Sequence, residues 1–213
     1  MTHEKTAKLL RITAFFLTAI GIAMVIRRTL IVAGLIPSVN PSGGAPFDNG
    51  FGQHPVLTFM HILPGMLFML LGPWQFMPAI RTRYPLFHRV SGRIYIICGY
   101  IVGASALCMP FIMLPIGGVN EAAASILFSI FFLICLSKAW WHIMQQHISL
   151  HREWMIRAFA IGLAVSTVRP IIVMFFAFSG LLPQVFFGTA FWIGFTLHAV
   201  VAEVWINETR PTP

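Results

Sequence analysis

The sequence predicts an all-α membrane protein with six transmembrane helices, and three observations carry that expectation. Only 9% of the 213 residues are charged and 58% are hydrophobic, whereas a water-soluble domain carries about 25% charged residues because its surface must face water. The apolar residues fall in long runs, and a helix that crosses a bilayer needs about 20 of them. Lysine and arginine collect in short clusters between those runs rather than on one basic face. The length suits a single polytopic domain over 1–213 and leaves no room for a sizeable soluble module.

The spans are expected near 9–28, 55–80, 90–113, 121–144, 154–179 and 183–206. The apolar run of the first, Ile12 to Ile26, follows Lys5, Lys8 and Arg11 like a signal peptide. It runs into Arg27 and Arg28 without a small-residue cleavage site, so it reads as an uncleaved anchor. Those arginines interrupt the apolar run, and a second apolar piece follows over 29–36. Residues 37–54 (PSVNPSGGAPFDNGFGQH) are rich in Gly, Pro, Asn and Ser and form the one long loop, expected on the extracytoplasmic side. In the second span, Gly65 and Gly72 fit close helix packing, with room for a flat cofactor as the competing explanation. Gly92, Gly99 and Gly103 in the third fit small-xxx-small packing. The fourth ends in SKAWWHIMQQH (137–147), where Lys138 can snorkel to headgroups and Trp140 and Trp141 join the interfacial aromatic belt.

Spans three and five open alike, with FHRVSGRIY (87–95) and LHREWMIRAF (150–159). Two such hairpins, two-three and four-five, would make a four-helix core flanked by helices one and six. Positive charge sets direction. Lys5, Lys8, Arg11, Arg81, Arg83, Arg89, Arg93, Lys138, Arg152, Arg157 and Arg210 lie on the side of the N-terminus, against Arg27, Arg28 and Arg169 on the other. That bias predicts a bacterial inner-membrane protein with both termini cytoplasmic.

The net charge of +8 is therefore explained by orientation and anionic lipid, and no aromatic-basic platform for nucleic acid is present. Cys98, Cys108 and Cys135 lie in apolar stretches without CxxC spacing, so they read as small buried hydrophobes. The chain has no GxxxxGK[ST], HExxH, nucleophile elbow or paired aspartates, Asp48 being the one aspartate.

Ionisable groups at membrane depth are expensive and mark candidate sites. His88 and His151 each start a helix at the cytoplasmic face. Two inward-facing histidines on separate helices are what a haem b needs for axial ligation. Arg81, Arg89, Arg93, Arg152 and Arg157 lie at that depth and could neutralise its propionates. His142 or His198 could substitute as ligands, and the competing reading has His-Arg anchoring each helix to lipid phosphate. Nearer the outer face, His61 is either a further ligand, with Met109, Met113 or Met174 opposite it, or part of a polar cluster with Gln75 and Arg169. Pro170 frees a backbone carbonyl for such a cluster. Glu203 is expected to pair with Arg157 or Arg93.

Three segments, HILPG (61–65) with GPWQF (72–76), HRVSGRIY (88–95) and HREWMIR (151–157), followed by Arg169, carry a resemblance. The chain resembles a family of bacterial predicted membrane proteins that share these motifs over spans two to six. The resemblance implies the architecture and singles out His61, Gln75, Arg81, His88, Arg89, Arg93, Tyr95, His151, Arg152, Trp154, Arg157 and Arg169. It does not include His142, His147 or His198, and it implies no reaction. The histidines on a four-helix core are also similar to those of cytochrome b561-like membrane proteins, from which the chain departs in lacking two clear histidine pairs.

The leading functional expectation is a membrane-bound b-type haem protein in electron transfer, with quinone or another redox partner. The alternative is a non-redox transporter or a lipid- or small-ligand-binding protein, with Arg81, Arg89 and Arg152 holding an anion. A third is a scaffold subunit of a membrane complex. Oligomeric state is not legible in the sequence.

Overall fold

The computed structural model describes residues 2–37 and 48–210, with side chains from residue 4 onward. The greater part of the 37–54 loop, residues 38–47, lies outside the described residues. Among those described, every regular element is helical: α1 (Thr2–Val32), α2 (Asn49–Gln53), α3 (Pro55–Gln75), α4 (Pro78–Arg83), α5 (Pro85–Ile112), α6 (Gly118–Met144), α7 (Ile148–Phe178) and α8 (Pro183–Thr209). Six of them, α1, α3, α5, α6, α7 and α8, are long and apolar enough to cross a membrane.

Helix starts follow the prolines. Pro55, Pro78, Pro85 and Pro183 each open a helix, where the missing N–H is no loss and the fixed φ is already helical. The expected second span, 55–80, is therefore two elements. It stops at Gln75 and restarts at Pro78 as the short α4, which carries Arg81 and Arg83. The first span, by contrast, does not break at Arg27 and Arg28 but continues to Val32.

The core is the predicted set of four helices. α3 packs on α5, α5 on α6 and α6 on α7. α5 and α7 stand diagonally, and α3 and α7 touch only lightly. α1 lies against both α3 and α7 and spans that gap, while α8 covers α6 and α7. The ends of α1, α5 and α7 and the starts of α3, α6 and α8 meet at one end of the bundle, the distal end. Both described termini lie at the other, proximal end.

With lipid outside, apolar burial gives little drive and the helices are held by packing and interhelical polar contacts. Packing is dense on the proximal side of the middle. Phe68 stacks on the fully buried Tyr95 with centroids 4.1 Å apart and meets Phe132 edge-on at 5.4 Å, and Phe76 stacks on Phe159 at 5.1 Å. Gly72 is small because the Phe159 ring occupies the space a side chain would fill. That resolves its two expected roles in favour of packing. Gly65 differs: a Cβ there would meet only Val102, at 3.7 Å.

Candidate functional site: a distal cavity and a proximal ion network

Gly65 has room because it borders a cavity of about 630 Å³. The cavity occupies the distal half of the bundle, where α1 bridges the gap between α3 and α7. Its floor is apolar, formed by Phe68, Met69, Phe132 and Ile161. His61, Glu121, Ser125, Ser129 and Arg169 make a polar wall above it, and Arg28, Gln53, His54 and Gln184 lie nearer the mouth. At 1.5 Å per helical residue, Phe132 lies about 20 Å from the start of α6, so the cavity reaches about halfway through the bundle.

Each polar residue is fixed differently. His61 Nδ1 lies 2.9 Å from Ser105 Oγ, and Ser105 spends its hydrogen on the Ile101 carbonyl at 2.7 Å. Nδ1 therefore carries the imidazole proton and Nε2 is left as an acceptor. Arg28 and Arg27 converge on the buried Asp48, at 2.5 Å and 3.0 Å, and Arg28 also lies 3.7 Å over the Phe51 ring. This clamp lets α1 run through two arginines, since the carboxylate offsets one of their two charges and ties α1 to the start of α2. Glu121 accepts a hydrogen bond from the Gly117 N–H at 2.7 Å. Arg169 has Glu121, Asp48 and Arg27 as its charged neighbours. Among the described residues, no carboxylate comes within ion-pair distance of it.

The proximal end is organised by pairs. Arg157 binds Glu203 through two nitrogens, at 2.5 Å and 2.8 Å, and sits 4.6 Å over the Trp154 ring. Arg210 binds the buried Glu153 the same way, at 3.0 Å and 2.9 Å. Arg152 donates to the Thr209 hydroxyl at 2.8 Å. Apart from the Arg157–Trp154 contact within α7, each of these joins α7 to α8 or to the residue just beyond it.

His88 and His151 do come into one neighbourhood, with Arg81 near His88 and His142 near His151. His151 Nδ1 lies 2.9 Å from the Ala139 carbonyl, whereas His88 Nδ1 is buried without a hydrogen-bond partner. The five arginines expected around them divide. Arg157 and Arg152 are committed to Glu203 and Thr209, Arg89 and Arg93 are exposed, and Arg81 remains beside His88.

One expected grouping is not formed. His61, Gln75 and Arg169 are not one cluster: Gln75 lies 14 positions from His61, about 20 Å along α3, and donates to Ser91 at 2.7 Å. His61 lies at the opposite end of the bundle from His88 and His151, the separation its position nearer the outer face implied. Among the described residues, no group of three or more His, Cys, Asp or Glu is arranged to hold a metal ion. His198 is bound to Thr167, Nε2 to Oγ1 at 2.8 Å, and the His142 ring lies 5.8 Å from that of His147. Arg152 has Arg81 as a charged neighbour while Arg89 is exposed, and none of the three lines the large cavity. The cavity's arginines are Arg28 and Arg169.

Glu121, Asp48 and the serines of the wall were not singled out by the sequence reading. A charge tally of the distal half would have found the two acids, because they are its only acidic residues.

Fold and site together define a polytopic α-helical membrane protein with a polar-walled cavity in its distal half. More narrowly, the chain belongs to the predicted membrane protein family DUF2306, whose profile matches residues 58–206, well over half of its length. No match was found among curated proteins or among solved structures.

Proposed function

We propose that this protein binds a small amphipathic molecule within the distal half of the bundle, as a lipid- or ligand-binding protein or transporter. One observation carries the reading: a cavity of about 630 Å³ at membrane depth with an apolar floor and a polar wall. That volume falls in the range of about 300–1,000 Å³ typical of small-molecule sites, which pair a mostly apolar lining with a few placed polar groups. The excess of lysine and arginine at the proximal end supports a cytoplasmic location for that end, with the cavity opening outward from a bacterial inner membrane.

The test is mass spectrometry of what the purified protein retains in mild detergent, compared with Gly65→Phe. The new ring would enter the cavity, since only Val102 lies near the Gly65 Cβ position. A small amphiphile retained at near-stoichiometric level by the natural protein and lost from the variant is the expected result. Identical contents in both proteins would overturn the reading.

A second reading, a b-type haem protein exchanging electrons with quinone, is favoured by one feature: the unpartnered buried Nδ1 of His88 beside His151. The donor chemistry fits a haem iron. His88 and His151 would hold it, Ala139 would orient the His151 ring as a carbonyl partner orients a metal-ligating imidazole, and Arg81 would meet a propionate. The haem would supply one-electron transfer. The packing fits less well, because Phe159 already fills the space beside Gly72. A dithionite-reduced spectrum decides: a b-type absorbance lost in both His88→Ala and His151→Ala supports this reading. A colourless folded protein, after expression with haem supplied, removes it.

A further inference from the structure

The distal half of the bundle carries a charge imbalance. The chain has six acidic residues, and four of them, Glu4, Glu153, Glu203 and Glu208, belong to the first helix's opening turn or to the proximal ends of α7 and α8. Asp48 and Glu121 alone remain to offset Arg27, Arg28 and Arg169. The stretch 38–47 (SVNPSGGAPF) cannot supply the difference, since it contains no acidic residue. Asp48 is already held between Arg27 and Arg28, and Glu121 is turned onto the Gly117 N–H. One positive charge is left over across the distal half: Arg27 and Arg28 share Asp48, while Arg169 faces Glu121 as its principal charged neighbour but has no carboxylate within ion-pair distance. At 1.5 Å per residue Arg169 lies about 14 Å from the distal end of α7, deep enough that a guanidinium without a carboxylate in direct contact is costly.

The wall around Arg169 also has unmet polar capacity. Ser166, one turn toward the floor, is 1% exposed and lines the cavity, and its hydroxyl has no hydrogen-bond partner among the described residues. Pro170 lacks an N–H, so the Ser166 carbonyl has no helical donor four residues on. Below them the lining turns to Phe68, Phe132, Met69 and Ile161, with no charged group.

We infer that the cavity's occupant is a singly charged anionic amphiphile, its acidic head on Arg169 and its apolar body on the aromatic floor. The inference rests on the binding reading above and adds the ligand's chemical class. A monoanion cancels the leftover charge; a neutral amphiphile leaves it, and a cation doubles it. Arg169 forms charge-assisted bonds to the head, and Arg28, held by Asp48, adds long-range attraction at the mouth.

The experiment follows thermal unfolding of the full-length protein in nonionic micelles carrying equal mole fractions of dodecanoate, dodecanol or dodecyltrimethylammonium. Dodecanoate is expected to raise the midpoint clearly above the shift given by dodecanol, with no rise from the cation. In Arg169→Gln, apparent affinity for dodecanoate should fall at least tenfold, to the level of dodecanol. Should that variant fail to fold, Glu121→Gln keeps an acceptor for Gly117 while adding a second surplus charge, and should bind dodecanoate several-fold more tightly. A parallel arm with phosphatidylglycerol separates a lipid headgroup from a free single-chain acid; a rise with either supports the inference. Equal shifts from dodecanoate and dodecanol overturn the anionic class while leaving the cavity reading intact. No response to any amphiphile, in a protein from which Gly65→Phe displaces nothing, removes the cavity reading itself.

Discussion

The two ends of this bundle use arginine in opposite ways. At the proximal end Arg157 and Arg210 each meet a glutamate through two nitrogens, and the pairs bind α7 to α8. At the distal end Arg27 and Arg28 share one aspartate while Arg169 has none within ion-pair distance. Paired guanidiniums act as fasteners, because their charge is spent within the protein. An unpaired one at the same depth keeps its charge for something else. Identity and burial do not separate the two roles; the local count of carboxylates does.

The largest expected effect breaks the distal arrangement. Asp48→Asn removes the buried acid between two arginines, one of them itself nearly buried. It should cost about 3 kcal/mol of stability, the scale of breaking a buried pair by removing one partner. Chemical unfolding in detergent checks it, and an unchanged midpoint would show that Asp48 is not what holds α1 through Arg27 and Arg28.

Arg157→Met tests the fasteners. It leaves Glu153 with Arg210 and releases Glu203, which is half exposed, so the loss should be about 1–2 kcal/mol, discounted for solvent screening. Retained-ligand content should not change. If it falls as far as in Gly65→Phe, the two ends are coupled and the division of roles fails.

A smaller effect belongs to Ser105→Ala, which removes the acceptor for His61 Nδ1–H. About 1 kcal/mol is expected from a lost hydrogen bond at a partly buried site. The His61 ring should also change tautomer or orientation, which nitrogen chemical shifts of labelled histidine will report. Arg89→Ala and Arg93→Ala complete the series. Both side chains are exposed, so stability should stay within about 0.5 kcal/mol. A larger loss from either would restore it to the His88 neighbourhood.

The sequence made the fold legible because span length and charge bias respond to the bilayer directly, without tertiary detail. The spans, the four-helix core and the pairing of Arg157 with Glu203 follow from such one-dimensional signals. Helix ends were legible at Pro55 and Pro183, and within a residue at the C-terminal ends of α5, α6 and α7, where the apolar run stops. The start at Pro85 was expected five residues late, and the break at Pro78 was missed because the hydropathy of 76–80 does not drop. The site was harder. His61 and Gln75 share a helix but not a depth, and rise per residue could have separated them. Which arginines are spent depends on which helices touch, and that α1 covers the α3–α7 gap is written in no local motif. His88 and His151 were correctly brought near one another, since both mark helix starts at one end. Motif density pointed there, while the open volume lies at the other end, where residues such as Ser125, Ser129 and Gly65 look unremarkable in a linear string.

The position of α1 has one more consequence. The family profile begins at residue 58, after α1 and α2, so the shared region builds the trough that contains His61, Glu121 and Arg169 but not the wall that closes it. Gly21, Met24, Val25 and Arg28 come from outside that region. On the proposed reading, the seat for the charged head lies within the region the profile matches, while part of the surface against the rest of the ligand lies outside it. Substitutions confined to Gly21, Met24 and Val25 would then re-tune selectivity without touching the seat of the head: a faceplate that can be changed while the lock stays as it is.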